Sequence, residues 1–338
     1  GARDAQAPPF SNSLESHMYI VPESEIAALI TREASYGAVE KVFASMAAKT
    51  ASNFPVIREA IGHADALYGF KSGFDRQALN LGLKSGGYWP GNMEKGLTNH
   101  QSTVFLFDAD TGKCRAVVGG NLLTALRTAA AAAVSVAHLA REDAKVLGMI
   151  GAGHQAAFQL RAVAEKRNFE RVVAWNRTPE KLASLRAVAE EIGLPFESVS
   201  LEDLGAQADV IVTIVSSHTE VLKDAHVKSG THIACMGTDT KGKQEVEAAL
   251  VARASVFTDE IAQSVSIGEA QHAIANGLLQ PAQITELGAV INGTHQGRAS
   301  AEEVTLFDGT GVGLQDLAVA SAAVELAIAK GVAIEVAF

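Results

Sequence analysis

Cysteine and positive charge are both scarce in this sequence. Its 338 residues include two cysteines, and 28 lysines and arginines stand against 38 aspartates and glutamates, for a formal net charge of −10. The isolated Cys114 and Cys235 have no metal-ligand spacing, which indicates reduced thiols in a cytoplasmic protein and no metal site. The acidic balance argues against a nucleic-acid-binding surface.

Long hydrophobic runs are also missing. We find no apolar run approaching the length of a membrane span and no signal peptide, so we expect no membrane partner. Residues 1–17 show little pattern and end in Ser-His before Met18, and we expect them to be a remnant of recombinant expression. With 48% hydrophobic and 20% charged residues, the chain is long enough for two domains with separate cores.

The order of strand and helix signals predicts an α/β protein. Short β segments occupy residues 57–120, and Asp108–Lys113 carries turn signals typical of a hairpin. From residue 146 onward, short apolar runs alternate with helical patterns, which is typical of a parallel sheet. The predicted units are an N-terminal α+β domain (18–125 and 313–338), to which an apolar C-terminal helix returns, and a Rossmann dinucleotide-binding domain (126–312).

The most informative motif is a dinucleotide-binding fingerprint. The apolar run Val146–Ile150 leads into Gly151-Ala-Gly153, and Ala156 stands where the third glycine of the fingerprint is often an alanine. This pattern is typical of a buried strand, a tight turn and a helix whose N-terminus faces a pyrophosphate. A glycine turn that only packs helix against strand is the alternative. The predicted cofactor contacts here are Gly151, Ala152, Gly153, His154 and Gln155.

The residues after the second strand of this unit bear on the choice of dinucleotide. A carboxylate there would bind the ribose hydroxyls of NAD, but the sequence reads Asn176-Arg177-Thr178-Pro179. With no carboxylate to repel a 2′-phosphate, and with Arg177 able to pair with one, the residues themselves favour NADP(H). Alternatively, Arg177 stacks on the adenine and Asn176 holds the ribose. All three of Asn176, Arg177 and Thr178 are candidate cofactor contacts.

Three basic residues in the first domain are candidates for an anion site. Lys84 interrupts an apolar alternation beside a glycine-rich loop, Arg127 lies at a buried-looking helix start, and Arg58 follows an apolar run. A buried cation requires an anionic partner. Each residue also has a structural alternative, which is a solvated strand end for Lys84, an ion pair at the domain junction for Arg127 and plain exposure for Arg58.

Further candidates follow strands of the second domain. Asp239 comes at the carboxyl end of a predicted parallel strand, where ligands bind in such sheets. It is a candidate for holding an ammonium or iminium group or for proton transfer, and otherwise for capping a helix that begins near Gln244. Ser216, Met236 and Gly237 end two of these strands and are candidate cofactor contacts.

Several motifs occur in a specific order along the chain. They are Gly82-Leu-Lys84 with Pro90-Gly-Asn92, Leu123-Thr-Ala-Leu-Arg127-Thr-Ala-Ala130, Gly151-Ala-Gly153, Asn176-Arg-Thr178, Gly237-Thr-Asp239-Thr-Lys-Gly242-Lys243, and Leu306-Phe-Asp-Gly-Thr-Gly311 with Gln315-Asp-Leu-Ala318. In this order they resemble the ornithine cyclodeaminase/mu-crystallin family, and the resemblance extends from about residue 19 to the C-terminus.

This resemblance implies a homodimer formed through the β domain and a small imino- or amino-acid substrate. Lys84 and Arg127, with Arg58 at the matching upstream position, would bind the substrate carboxylate. Asp239 would contact the substrate nitrogen, so Lys84 and Asp239 are the catalytic candidates. Within the family, the chain most resembles members that reduce iminosuccinate to L-aspartate, which implies NAD(H), with NADP(H) remaining possible.

We therefore expect the reduction of a 2-imino dicarboxylate to an L-amino acid. Three cations exceed what one carboxylate requires, and this excess favours a diacid. Ornithine cyclodeamination or an alanine dehydrogenase-type activity is the alternative within the family. A non-catalytic NADP(H)-binding protein, as in crystallin-like members, is the alternative from another class.

Overall fold

The computed structural model describes residues 17–338, which form two large sheets and the helices that cover them. This confirms the predicted α/β class. The expectation about residues 1–17 lies outside the described residues except at His17, where the first strand begins.

The helices and strands have the following bounds. The strands are β1 (His17–Val21), β2 (Ala51–Asn53), β3 (Ile57–Ala60), β4 (Leu67–Asp75), β5 (Asn80–Tyr88), β6 (His100–Phe107), β7 (Cys114–Gly119), β8 (Val146–Ile150), β9 (Arg171–Trp175), β10 (Phe196–Ser198), β11 (Val210–Thr213), β12 (His218–Leu222), β13 (His232–Cys235), β14 (Gln244–Val246), β15 (Ser255–Thr258), β16 (Thr285–Glu286), β17 (Thr305–Asp308) and β18 (Ile334–Ala337). The helices are α1 (Glu23–Leu29), α2 (Arg32–Ala47), α3 (Asn121–Leu139), α4 (His154–Ala164), α5 (Leu182–Glu191), α6 (Leu201–Gln207), α7 (Ala248–Arg253), α8 (Ile261–Ser266), α9 (Gln271–Ala275), α10 (Leu287–Ile291) and α11 (Gly313–Ala329).

The first sheet is mainly antiparallel, in the order β18-β1-β7-β6-β5-β4-β2, with β3 paired to β4. The predicted hairpin is confirmed as β6–β7, and the side chain of Asp108 accepts hydrogen bonds from Thr111 in its turn. Helix α11 packs across this sheet, where Leu314 and Leu317 lie over Gly73 and Gly82. The predicted return of the C-terminal helix to the first domain is therefore also confirmed.

The second sheet is parallel throughout, in the order β10-β9-β8-β11-β13-β17-β15-β16. The chain moves outward in one direction from β8 and in the other from β11, so the strand order reverses between these two neighbours. The crevice outside the carboxyl ends of strands at such a reversal is where α/β sheets bind ligands. The predicted strands of this half match β8 to β11, β13 and β15, whereas β12, β14, β16 and the central strand β17 were not predicted.

Helix α3 connects the two sheets and runs unbroken across the predicted domain boundary at residue 125. It is long and apolar enough to cross a membrane by length and composition alone, with a mean hydropathy of 1.5. The prediction that no segment approaches this length was therefore wrong. Within the described residues, however, 72% of that window is buried inside the protein, as in the core helix of a globular domain.

The junction between α2 and α10 couples the first domain to the second and leaves no room for a side chain at Gly288. A Cβ atom there would lie 1.9 Å from the carbonyl oxygen of Phe43 in α2. We predict that Gly288→Ala destabilises the protein by about 1–3 kcal/mol through overpacking. Gly37→Ala, in α2 with no atom within 4 Å of its Cβ, should instead stabilise it by about 0.5–1 kcal/mol. Urea unfolding of both variants is the test, and equal shifts would contradict this packing.

Candidate functional site

The fingerprint loop lies at the point where the strand order reverses. Gly151 has a φ of +105°, its N–H donates to the carbonyl of Trp175 at 2.9 Å, and a Cβ atom would lie 2.6 Å from the carbonyl of Ile214. Only glycine fits this position. Gly153 differs, because its φ of −78° suits any residue and a Cβ atom there would meet nothing within 4 Å.

The open space beside Gly153 is where a pyrophosphate would approach the backbone. Helix α4 begins at the next residue, His154, so its N-terminal N–H groups and dipole face this space. The Oε1 atom of Gln155 is buried without a hydrogen-bond partner among the described residues, and Ala152 packs partly on the core. The loop therefore fits a dinucleotide.

In the turn after β9, one predicted side chain is hydrogen-bonded within the turn and two are exposed. The Nδ2 atom of Asn176 donates to the carbonyl of Thr178 at 2.7 Å and closes the turn. Arg177 and Thr178 are exposed, and Thr178 precedes a short 3-10 turn at Pro179–Lys181. Arg177 thus stays exposed beyond the strand end, and Asn176 has a structural role in the turn.

The remaining predicted cofactor residues follow the neighbouring strands β11 and β13. Ser216 is exposed just beyond β11. The side chain of Met236 is buried in the core. Its N–H donates to the carbonyl of Thr213 at 2.8 Å. Gly237 has no room for a side chain, because a Cβ atom would lie 2.5 Å from Oε1 of Glu245.

Glu245, which our sequence reading missed, ties these two strand ends together. Its carboxylate accepts the N–H of Val215 at 2.8 Å and that of Gly237 at 2.7 Å. A second buried carboxylate, Glu269, accepts the N–H groups of Glu245 and Val246. Burial, and then the neighbouring Glu245, raise the pKa of Glu269 to about 8. The sequence signal for Glu245 is an acidic residue directly after Gly242-Lys243-Gln244.

The expected helix near Gln244 is not formed. The segment Gln244–Val246 is strand β14, which pairs with β12, and the N–H of Gln244 donates to the carbonyl of Ser217 at 2.9 Å. The capping role considered for Asp239 therefore has no helix to act on. Asp239 instead turns toward the first domain.

Asp239 forms an ion-pair cluster with residues from both domains. Its Oδ2 lies 3.2 Å from a guanidinium nitrogen of Arg58, and its Oδ1 lies 2.8 Å from Nζ of Lys243. Burial pushes the pKa of Asp239 upward, but Lys243, Lys71 and Arg58 together hold it well below its usual range. The carboxylate therefore stays ionised at neutral pH and can attract a cation, but it has no proton to donate.

Lys84 and Arg127 meet at one buried carboxylate, that of Asp316 in α11. Nζ of Lys84 lies 3.1 Å from it and Nε of Arg127 lies 2.9 Å from it, and all three side chains are almost fully buried. Arg127 also donates to the side chain of Gln315 at 3.0 Å. The structural ion pair considered for Arg127 does form, and its partner, Asp316, was quoted within a motif without being assigned a role.

Lys71 in β4 is a further cation that sequence reasoning missed. It pairs in register with Lys84 of β5, so two lysines lie side by side on one face of the sheet. Its Nζ donates to the carbonyl of Gly311 at 2.7 Å. Gly311 has a φ of +74°, and a Cβ atom there would lie 2.9 Å from Arg127.

Burial and neighbouring charges both shift the pKa values of these groups. Burial lowers the pKa of Lys84 to about 7, despite the nearby Asp316, and lowers the pKa of Lys71 to about 8. Burial and then the charges of Lys84 and Arg127 lower the pKa of His100 to about 4. Together with Arg58 and Lys243, the site brings five cations to two carboxylates, those of Asp239 and Asp316. Such a surplus of positive charge favours an anionic ligand.

Comparison with known proteins assigns the chain to a family. The model of the ornithine cyclodeaminase/mu-crystallin family matches residues 18–331. The chain belongs to this family. The resemblance on which our expectations rest is thus confirmed over nearly all of the described residues.

Individual members of the family are similar over their full length. Iminosuccinate reductase of Paracoccus denitrificans is 67% identical over 319 residues, covering 94% of this chain and 99% of that protein. Its crystal structure in complex with NAD+ superposes with a TM-score of 0.93 at 66% identity, covering 96% of this chain and all of the other. An archaeal alanine dehydrogenase dimer with bound NAD has a TM-score of 0.90 at 30% identity, with 96% and 100% coverage.

We predict that Asp316→Asn destabilises the protein in a pH-dependent way. At pH 6 Lys84 is below its pKa of about 7 and charged, so two buried cations lose their partner, at about 3–5 kcal/mol. At pH 9 Lys84 is neutral and the loss should be smaller. Asp143→Asn is the control, because Asp143 pairs with Arg141 at the surface with 76% of its side chain exposed, and should change stability by less than about 1 kcal/mol. Equal effects of the two variants, or no pH dependence, would contradict the buried triad.

Proposed function

We propose that this protein is an NAD(H)-dependent iminosuccinate reductase that produces L-aspartate. The observation that carries the proposal is the cluster of five basic side chains, Arg58, Lys71, Lys84, Arg127 and Lys243, around the two carboxylates of Asp239 and Asp316. The 67% identity to an iminosuccinate reductase over 94% of the chain supports the same substrate. The site as a whole is built to hold an anion of more than one charge.

In this proposal the first domain orients the substrate. Arg127, Lys84 and Arg58 contact its carboxylates and fix the position of the imine carbon, which is the main contribution that positioning makes to such a reduction. NADH, when bound at the fingerprint loop, supplies the hydride that this carbon accepts. Asp239 lies where both domains meet and is the group that we assign to the substrate nitrogen.

The charge state of Asp239 decides its chemical role. Because its pKa lies well below the usual range, it remains a carboxylate and stabilises a protonated iminium nitrogen, which is more electrophilic than a neutral imine. Lys84 lies beside the proposed substrate carboxylate with a pKa of about 7, so it can hold or release a proton at neutral pH. We therefore keep Lys84 and Asp239 as the proposed catalytic pair.

We propose NAD(H) as the cofactor. The NAD+-bound structure of the Paracoccus denitrificans relative supports this choice over the NADP(H) that the Asn176-Arg177-Thr178 turn suggested. Arg177 is exposed and no carboxylate ends β9, so this turn does not repel the 2′-phosphate of NADP(H).

Replacement of Gly153 tests the cofactor site. Since a Cβ atom at Gly153 has open space and its φ is permissive, Gly153→Val should fold with an unchanged melting temperature. The branched side chain would occupy the space of the pyrophosphate, so we predict that NADH affinity falls by about 100-fold or more. Gly153→Ala should give a smaller loss. Unchanged affinity of the valine variant in a fluorescence titration would remove the basis for this placement.

We also propose that two copies associate through the first sheet. Leu106 of β6 faces inward toward α11, so its neighbour Phe105 faces outward, in register with Leu83 and Val117. These three apolar side chains are half-buried in one copy, and a second copy would cover them. An alanine dehydrogenase relative is a dimer. The free thiols Cys114 and Cys235 suit the cytoplasmic location that we propose.

The alternatives differ in what they require of the pocket. Ornithine would place a side-chain ammonium group among five cations, which like-charge repulsion disfavours. Alanine has no second carboxylate and would leave the cation surplus without a partner. A non-catalytic protein that binds a dinucleotide and a small ligand would show no turnover, whatever the charges of its site. Sustained reduction of an imine would therefore exclude this alternative.

The substrate preference is the direct test of the proposed function. We predict that near neutral pH, where Lys71 is charged, L-aspartate is oxidised with NAD+ at least about 100-fold faster, in kcat/KM, than L-alanine, L-proline or L-ornithine, because a lost charged contact is costly in a buried site. In the reverse direction, oxaloacetate with ammonium forms iminosuccinate and should be reduced by NADH. Faster turnover of L-ornithine or L-alanine would show that the dicarboxylate assignment is wrong.

A further inference from the structure

We propose that Lys71 binds the second carboxylate of the substrate and thereby makes the site select a dicarboxylate. The inference deepens the proposed function and rests on it. It concerns a residue outside the three cations to which the family resemblance assigns a carboxylate.

The ion pairs of the site single out Lys71. Lys84 and Arg127 share Asp316, and Arg58 and Lys243 share Asp239. Lys71 forms no ion pair with any carboxylate between residues 17 and 338, since its Nζ bonds only to the backbone carbonyls of Thr310 and Gly311, at 3.5 and 2.7 Å.

Asp259 supports the loop that contacts Lys71. Asp259 accepts the N–H groups of Thr310 and Gly311, at 3.1 and 2.8 Å, and so holds the backbone of the loop whose carbonyls face Lys71. The loop carbonyls hold the ammonium group of Lys71 in place but use few of its donors. An ammonium group has three N–H bonds, and only its contact with Gly311 is short. Lys71 can therefore donate further hydrogen bonds to a ligand.

Exposure separates Lys71 from the cations of the buried triad. Lys84 and Arg127 are 6% exposed, whereas Lys71, which lies against Gly311 and Gly313, keeps an intermediate exposure. Lys71 is therefore the less enclosed of the two lysines. The charges of Asp239, Arg58 and Arg127 act on it from the other sides.

An unpaired lysine beside another lysine is unfavourable in the free protein. Lys71 and Lys84 are directly opposite on adjacent antiparallel strands, where like charges repel. A dianionic ligand relieves this repulsion twice, with one carboxylate at the triad of Lys84, Arg127 and Asp316 and the other at Lys71. A monoanion relieves it once, and the difference is the selectivity that we assign to Lys71.

A matched pair of keto acids tests the assignment. Oxaloacetate and pyruvate, each with ammonium and NADH, differ by one carboxylate, so the ratio of their kcat/KM values measures its binding. We expect Lys71→Met to lower this ratio by about 100-fold. Lys71→Arg, which keeps the charge, should retain most of it. A melting temperature at or above that of the original protein would show that the methionine variant is folded.

The pH dependence of the same ratio gives a second readout, which a purely structural role would not produce. Burial lowers the pKa of Lys71 to about 8, so the ratio should fall as pH rises past this value and the lysine loses its charge. The groups that face Lys71 are Asp239, Arg58, Arg127, Asp316 and Lys84. Of these, Lys84 also titrates nearby, but it serves the carboxylate that both keto acids share. In Lys71→Arg the fall should vanish.

The outcomes separate the two proposals. If the original protein does not reduce oxaloacetate with ammonium, the proposed function fails. If it does, and a folded Lys71→Met variant loses activity on oxaloacetate and pyruvate in the same proportion, then the assignment of Lys71 is wrong while the proposed function stands.

Discussion

The buried carboxylate of Asp316 is the interaction on which the site depends. It neutralises one charge of Lys84 and Arg127 at the base of the pocket and joins α11 to both α3 and the first sheet. Without this carboxylate, the two cations would be unpaired in a dry interior, which folded proteins rarely tolerate. With it, the pocket remains electropositive, because one carboxylate cannot satisfy two cations and the adjacent Lys71. Positive charge that lacks a partner thus lowers the stability of the free protein, and a bound anion would supply the missing partner.

The second domain brings its own chemistry to this pocket through backbone geometry. Glu245 binds the N–H groups of Val215 and Gly237 and so fixes the ends of two neighbouring strands. The fingerprint loop lies beside them, where the strand order reverses, and Asp239, which follows β13, pairs with Arg58 of the first domain. The proposed hydride donor and the proposed anion site therefore meet where Arg58 of the first domain pairs with Asp239 of the second.

Local features of the fold and of the site were predictable, and long-range ones were not. The dinucleotide loop depends on residues 146 to 175, whose spacing specifies strand, turn and helix without reference to the rest of the chain. Asp316, however, meets Lys84 across 232 residues of sequence, and no local pattern marks that contact. Lys71 escaped notice because a lysine in an alternating strand is usually exposed, and only the pairing of β4 with β5 and the cover of α11 bury it. The sequence argument for a diacid counted three cations, Arg58, Lys84 and Arg127. In the structure Lys84 and Arg127 are paired with Asp316, so the excess of positive charge that favours a diacid also depends on Lys71 and Lys243.

The central claim is that a surplus of buried cations binds a dianion, and proton uptake tests it most directly. Succinate, which resembles the substrate but cannot react, is titrated into the NAD+-loaded protein at pH 8 by calorimetry in two buffers of different ionisation enthalpy. At this pH Lys84, with a pKa of about 7, and Lys71, with a pKa of about 8, are partly neutral, so a bound dianion should recharge them and draw protons from the buffer. The account predicts net proton uptake with succinate and less with butyrate. Binding of succinate without proton uptake would contradict it.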